Sequence, residues 1–170
     1  DILAPGRFDV LIPVFPPNSR ERSEMILYFM TENLTKDALL MKILVENNAD
    51  HLPFWEEISS KMKVFSNTMI VDFTQSLKKR IRNQYLRDNS EHIKIDSKLL
   101  NAARRDASAK LTDEYLNQIA QFISDVSINN YDDFPKRIAA LKDELDSYKV
   151  VETPRKSIGF QTKTEEHTKK

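Results

Sequence analysis

A line of apolar residues, each four positions after the last, constrains the fold of this chain more than any other feature. The line consists of Phe73, Leu77, Ile81 and Tyr85. An α-helix turns once every 3.6 residues, so side chains four apart share one face, whereas a strand would place neighbours on alternate faces. No glycine or proline interrupts the run. The stretch therefore predicts a long amphipathic helix over about 69–88.

The same spacing recurs in six other segments, and the 170 residues include only two glycines. We predict further helices near 19–33, 36–47, 54–62, 97–110, 113–128 and from 135 onward. Their starts are marked by capping or first-turn residues, which are Asn18 with Glu21 in a capping box, Thr35, Pro53, Asp96, Thr112 and Pro135. The predicted fold class is mainly α.

One short strand is expected at the N-terminal end. The apolar run from Val10 to Phe15 predicts a buried strand over 9–15. Pro13 cannot donate a backbone hydrogen bond, so the strand should lie at a sheet edge or stop there. Ile93 and Ile95 predict either a second short strand or an extended link.

Charge and composition narrow the classes of partner. Twenty-six basic and twenty-six acidic residues cancel, which gives no overall attraction to nucleic acid or anionic membrane. No apolar run reaches the roughly 20 residues of a membrane helix. The absence of cysteine excludes disulfides and thiolate chemistry, and fits the cytoplasm or another reducing compartment. We therefore expect neither a nucleic-acid nor a membrane partner.

Side-chain clusters offer little catalytic chemistry. The three histidines, His51, His92 and His167, are far apart, so we expect no metal site. The basic residues around Tyr85 suit a solvated helix face better than a phosphate-binding surface; they are Lys78, Lys79, Arg80, Arg82 and Arg87. Phe54 and Trp55 suit a helical core better than a partner anchor.

The first twenty-two residues carry a family resemblance. The sequence Ala4-Pro5-Gly6-Arg7-Phe8-Asp9 precedes the predicted strand, and Pro17 is followed five residues later by Arg22. This order resembles the second region of homology of the AAA ATPases, written as Arg-Pro-Gly-Arg-Phe-Asp, a strand, then Pro-x4-Arg. The resemblance covers about residues 1–110 and implies the end of an ATPase core followed by its helical lid.

The resemblance implies roles for three residues. Arg7 matches an arginine finger, which reaches the γ-phosphate bound by the neighbouring subunit and stabilises its developing charge. The family's other arginine falls on Ala4, so Arg7 would act alone; alternatively, Arg7 pairs with Asp9 or another carboxylate. Gly6 would hold the tight turn beside the finger and, with Arg22, would belong to the junction between core and lid.

Arg22 would order the junction between core and lid. The alternative is a helix-surface charge paired with Glu21 or Glu24. The spacing from Pro17 supports the first interpretation through the resemblance alone, and both remain open at this point.

The start of the long helix also corresponds to a family site. In the AAA lid a Gly-Ala-Asp-like turn lies against the adenine and ribose of the nucleotide. Ile70, Val71 and Asp72 occupy the corresponding place, and Asp72 matches the acidic residue. The family's glycine and alanine are replaced by the larger Ile70 and Val71.

These features predict four regions. Residues 1–17 would end the ATPase core, 18–110 would form the helical lid, 111–151 a helical extension, and 152–170 a flexible tail. The resemblance implies ATP and Mg²⁺ as cofactors, bound mostly by residues upstream, so this chain alone should not hydrolyse ATP. It further implies a homo-oligomeric ring, as a hexamer, that remodels a protein or another macromolecule. The alternatives are a non-catalytic helical interaction module with a degenerate lid, or a nucleic-acid-binding domain using the basic helix.

Overall fold

The computed structural model describes residues 12–32, 37–129 and 132–149, and within these ranges the chain is mainly helical. Seven α-helices and no strand are found there. The helices are α1 (Ser19–Thr31), α2 (Ala38–Glu46), α3 (Leu52–Ser60), α4 (Asn67–Asp88), α5 (Ser97–Ala107), α6 (Asp113–Asn129) and α7 (Pro135–Lys149). A 3₁₀ turn, Ser108–Lys110, follows α5 directly.

The capping signals at three helix starts are confirmed. Asn18 accepts the amide of Glu21 at 2.9 Å, and the Glu21 carboxylate accepts the amide of Asn18 at 2.8 Å, which completes the capping box. Asp96 and Thr112 accept amides three residues on, at 2.8 and 3.2 Å. Each cap satisfies a helix N–H that has no partner inside its own helix.

Two helix boundaries differ from the prediction by a few residues. Helix α2 is capped by Asp37, whose carboxylate accepts the amide of Leu40; the predicted cap, Thr35, lies outside the described residues. Helix α3 ends at Ser60, so Met62 is buried in the core from a turn rather than from the helix. Polar side chains can cap from several neighbouring positions, which is why sequence patterns place helix ends poorly.

The predicted N-terminal strand is not confirmed. Residues 9–11 lie outside the described ranges, and residues 12–18 form no strand. Ile12 and Val14 are 79% and 83% exposed, whereas a buried strand would cover them. A strand needs a partner for its backbone groups, and the described residues supply none.

The main hydrophobic core lies between α1, α3, α4 and α5, with α2 packed beside them. Phe73, Leu77 and Ile81 are buried, which confirms the inward face predicted for the long helix. Trp55 is fully buried, and its indole N–H donates to the carbonyl of Ala49 at 3.0 Å. Trp55 therefore belongs to the core, as favoured from the sequence.

A second, smaller core joins the C-terminal hairpin to the rest of the fold. Helices α6 and α7 pack chiefly against each other, and we refer to them together as the hairpin. Ile119, Leu141 and Leu145 of the hairpin bury themselves against Val64, which lies in the turn between α3 and α4. The hairpin thus contacts the five-helix body largely at a turn and at the segment before α1.

Candidate functional site

The most unusual group in the described structure is Arg22, a charged side chain with no solvent exposure. Its guanidinium makes a two-pronged ion pair with Glu144 of α7, at 2.7 and 3.0 Å. It also donates to the carbonyls of Pro17 at 2.7 Å and Ser59 at 3.1 Å. A buried guanidinium is tolerated only when its donors are satisfied in this way.

These contacts exclude one of the two interpretations of Arg22 and leave its role at a core–lid junction as a prediction. It is not a surface charge, so the alternative that paired it with Glu21 or Glu24 is wrong. Arg20, two residues earlier, is the exposed arginine that pairs with Glu24, at 3.0 Å. Because Arg22 holds Pro17, Ser59 and Glu144 at once, it fixes where the segment before α1 enters the helical body.

A second ion pair also joins α1 to α7, but here the carboxylate belongs to α1 and the guanidinium to α7. Arg137, near the start of α7, donates to both carboxylate oxygens of Glu21 and to the carbonyl of Pro16 at 3.1 Å. Its guanidinium also lies 5.7 Å from the centre of the Phe15 ring, within the range of a cation–π contact. The hydrogen bond from Arg137 is the main reason that the pKa of Glu21 lies below its usual value.

Phe15 fills the remaining space at this junction. Its ring packs edge-on against Phe122 of α6, with 5.3 Å between ring centres, and lies 5.5 Å from the Phe134 ring. Aromatic pairs at such distances contribute beyond their buried area. The hairpin therefore holds the segment before α1 through Phe15 and the first turn of α1 through two ion pairs, and we call this arrangement the junction.

The turn between α3 and α4 has a strained backbone. Val64 has a φ of 52°, in the left-handed region that β-branched residues avoid. Its N–H donates to Glu144 at 2.7 Å, and its carbonyl accepts the hydroxyl of Tyr115 at 2.8 Å. The carbonyl of Lys63 accepts the hydroxyl of Tyr148 at 3.0 Å. All three side chains belong to the hairpin.

Burial affects the acidity of both tyrosines at this turn. Desolvation raises the pKa of Tyr115 and the pKa of Tyr148 above the usual value of 10.0, because removal from water disfavours the phenolate. A smaller opposing effect on the pKa of Tyr115 comes from a hydrogen bond with Ser66. Both tyrosines therefore stay neutral hydrogen-bond donors well into alkaline pH.

The arginine-finger prediction cannot be placed on this structure. Gly6 and Arg7 lie outside the described residues, so their predicted roles stay predictions. Arg22, the other residue predicted to lie between core and lid, is among the described residues and is buried with a hydrogen bond to the Pro17 carbonyl, but its role between core and lid stays a prediction.

The three residues predicted to lie near a nucleotide occupy the start of α4, after its cap Ser66. Ile70 is fully buried in the main core, whereas Val71 and Asp72 are partly exposed. Asp72 pairs with Lys110 of the 3₁₀ turn at 2.5 Å. The prediction of a nearby nucleotide is not tested by this arrangement, but only Val71 and Asp72 keep surface that a ligand could touch.

The basic face of α4 is largely paired within the chain. Arg80 pairs with Asp106, Arg82 with Asp37, and Arg87 with its neighbour Asp88. The ammonium of Lys78 donates to the carbonyl of Phe29 at 2.5 Å, and burial lowers the pKa of Lys78. These pairs reduce the positive charge available to a phosphate backbone, and the expectation of no nucleic-acid partner stays a prediction.

Sequence reasoning missed the residues that build the junction from the C-terminal side. Glu144 and Arg137 lie seven residues apart, two turns along one face of α7, but their partners are 122 and 116 residues away. No periodicity signals a pairing at that separation. The left-handed conformation of Val64 was equally invisible, because neither glycine nor asparagine stands there.

The described residues contain no group of side chains that could hold a metal ion. None of their helices combines the length and the apolar character required to cross a bilayer. No protein-family model matches the chain, no curated protein is similar to it, and no solved structure matches its fold.

Proposed function

We propose that this chain is the end of an AAA ATPase core followed by its helical lid, part of a homo-oligomeric ring, as a hexamer, that couples ATP hydrolysis to remodelling of a protein or other macromolecule. The observation that supports this most is the buried Arg22. The resemblance assigns this arginine to the joint between core and lid, and its hydrogen bond to the Pro17 carbonyl, just before α1, supports that assignment.

A lid that acts as a lever needs a stiff connection to the part that moves it. Arg22 connects the incoming segment to α3 and α7 through four hydrogen bonds, and its own side chain is fully buried. The guanidinium is planar and its donors point in fixed directions, so it restrains angle as well as distance. Such a joint suits transmission of motion better than a flexible linker does.

Catalysis in this proposal lies outside the described residues. ATP and Mg²⁺ would be held mostly by an upstream phosphate-binding loop and an acidic strand end, and Arg7 would serve the neighbouring subunit's nucleotide in trans. The described residues would supply the lid surface at Val71 and Asp72 and the joint at Arg22. The predicted location remains the cytoplasm or another reducing compartment.

The test uses the full-length protein that contains this chain. Its upstream sequence should encode Gly-x4-Gly-Lys-Ser/Thr, and its purified product should hydrolyse ATP. Arg7→Ala should reduce turnover about 10³-fold or more while light scattering shows intact rings. Arg20→Ala, which removes an exposed arginine paired only with Glu24, is the matched control and should leave turnover unchanged.

Two results would overturn this proposal. One is an upstream sequence without a phosphate-binding loop. The other is full turnover of Arg7→Ala in intact rings.

One observation favours the alternative of a non-catalytic interaction module. Where the family has small residues against the nucleotide, Ile70 is buried in the core and Asp72 is paired with Lys110. A degenerate lid would show this arrangement. Calorimetric titration of the full-length protein with Mg²⁺–ATP separates the two: absence of binding by a folded oligomer would favour the interaction module.

A further inference from the structure

The hairpin supplies the hydrogen bonds recorded for the Val64 N–H, the Val64 carbonyl and the Lys63 carbonyl, whereas the Phe65 N–H donates within the turn to the Met62 carbonyl at 3.3 Å. Glu144 accepts the Val64 N–H, Tyr115 donates to the Val64 carbonyl, and Tyr148 donates to the Lys63 carbonyl. The Val64 side chain is itself fully buried under the hairpin. Three hydrogen bonds and the second core thus join the turn to the hairpin.

The conformation of Val64 is unfavourable by itself. A β-branched residue at positive φ places its side chain against its own carbonyl, which is sterically unfavourable. Such a residue keeps this geometry only where its surroundings over-determine it. Here the surroundings are the three hydrogen bonds and the second core, all of which depend on the hairpin being docked.

We propose that the hairpin is a conformational clamp, and that its docking holds Val64 left-handed and thereby sets the start of α4. Ser66, which caps α4 by accepting the amide of Met69 at 3.3 Å, comes two residues after Val64. A change in the sign of φ at Val64 redirects the chain that leads into Ser66. The clamp therefore controls the end of α4 that carries Val71 and Asp72.

The clamp is coupled to the junction through one carboxylate. Oxygen Oε2 of Glu144 accepts both the Val64 N–H at 2.7 Å and the Arg22 guanidinium at 3.0 Å. Displacement of α7 consequently disturbs the turn and the entry to α1 together. This inference stands without the ATPase proposal, because it concerns contacts within the described residues alone.

Hydrogen exchange at the Val64 amide, followed by NMR on the full 170-residue chain, tests the clamp. Glu144→Gln should accelerate exchange at Val64 at least tenfold, and Tyr148→Phe at least threefold. Amides inside α2, which does not touch the hairpin through any recorded hydrogen bond, provide the internal reference and should accelerate by a smaller factor than the Val64 amide in each variant. The backbone chemical shifts of Val64 should move toward negative φ in the same variants.

Asp143→Asn is the matched control, since it removes the neighbouring exposed carboxylate of α7 and should change nothing. Should Glu144→Gln prevent folding, Tyr148→Phe and Tyr115→Phe carry the test, because each deletes one hydroxyl and keeps the ring.

Unchanged exchange at Val64 in the folded variants would overturn the clamp. So would acceleration by the same factor at Val64 and in α2, which indicates global unfolding. Either failure leaves the ATPase proposal untouched, because that proposal is tested at Arg7.

Discussion

Removal of the Glu144 charge should strongly destabilise this protein. Glu144→Gln keeps the size of the side chain but leaves the Arg22 guanidinium buried without its counter-charge. Breaking a buried ion pair from one side typically costs 3–5 kcal/mol. Because the Glu144 side chain is 21% exposed and therefore partly screened by solvent, we expect a loss of about 3 kcal/mol, at the lower end of that range.

Urea denaturation measures this loss directly. Trp55 is the sole tryptophan and is fully buried in the main core, so its fluorescence reports unfolding of the five-helix body, with far-ultraviolet circular dichroism as a second probe. A loss of about 3 kcal/mol corresponds to a fall in Tm of about 10 °C for a domain of this size. Agreement between the two probes would show that the transition is two-state.

A control variant and a double-mutant cycle test whether the Arg22–Glu144 ion pair is the source of this loss of stability. Asp143→Asn should stay within about 0.5 kcal/mol of wild type, as surface substitutions usually do. In a cycle with Arg22→Met and Glu144→Gln, the two changes should couple by at least about 1 kcal/mol, since they remove one interaction between contacting residues. A Glu144→Gln variant as stable as Asp143→Asn, or additive effects in the cycle, would show that the pair does not hold the hairpin.

Three further predictions concern the same interface. The lowered folded-state pKa of Glu21 means that its ionised form stabilises the fold above its usual pKa of 4.5, and that this stabilisation is lost as the pH falls through the folded value. Arg137→Met should therefore make the free energy of unfolding fall less steeply below pH 4.5, as measured by urea titration at several pH values; an unchanged slope would contradict the assignment. Asn18→Ala should cost about 1 kcal/mol through loss of the capping box, whereas Asn18→Gly should cost only a few tenths; equal losses would mean that the cap contributes little. Because burial raises the pKa of Tyr115 and Tyr148, ultraviolet titration of phenolate should show two tyrosines ionising above pH 10, and Tyr115→Phe should remove one of them. Their neutral forms stabilise the fold below pH 10, so this stabilisation should be lost as the pH rises through their folded values.

Local patterns identified most of the helical architecture. Phe73, Leu77 and Ile81 face the core as their four-residue spacing predicts, and the capping box at Asn18 forms as the sequence indicates. These features depend on residues within one or two turns of each other, where backbone geometry dictates which side chains meet. The predicted strand at 9–15 was different, because a strand depends on a partner that local sequence does not reveal.

Tertiary structure alone decided what surrounds Arg22. From its position the arginine could equally have been a helix-surface charge, and its burial follows from the docking of Glu144, 122 residues later. Contacts with the hairpin also hold the positive φ of Val64, a residue whose own preference is for negative φ.

The sequence by itself therefore determined the helices, three of their caps and the inward face of the long helix α4, because those are settled by steric and hydrogen-bonding preferences over a few residues. Only the tertiary structure determined how the segment before α1, the α3–α4 turn and the hairpin contact one another. Buried charges there need partners, and the strained backbone needs contacts that hold its conformation. Side chains distant in the sequence supply both.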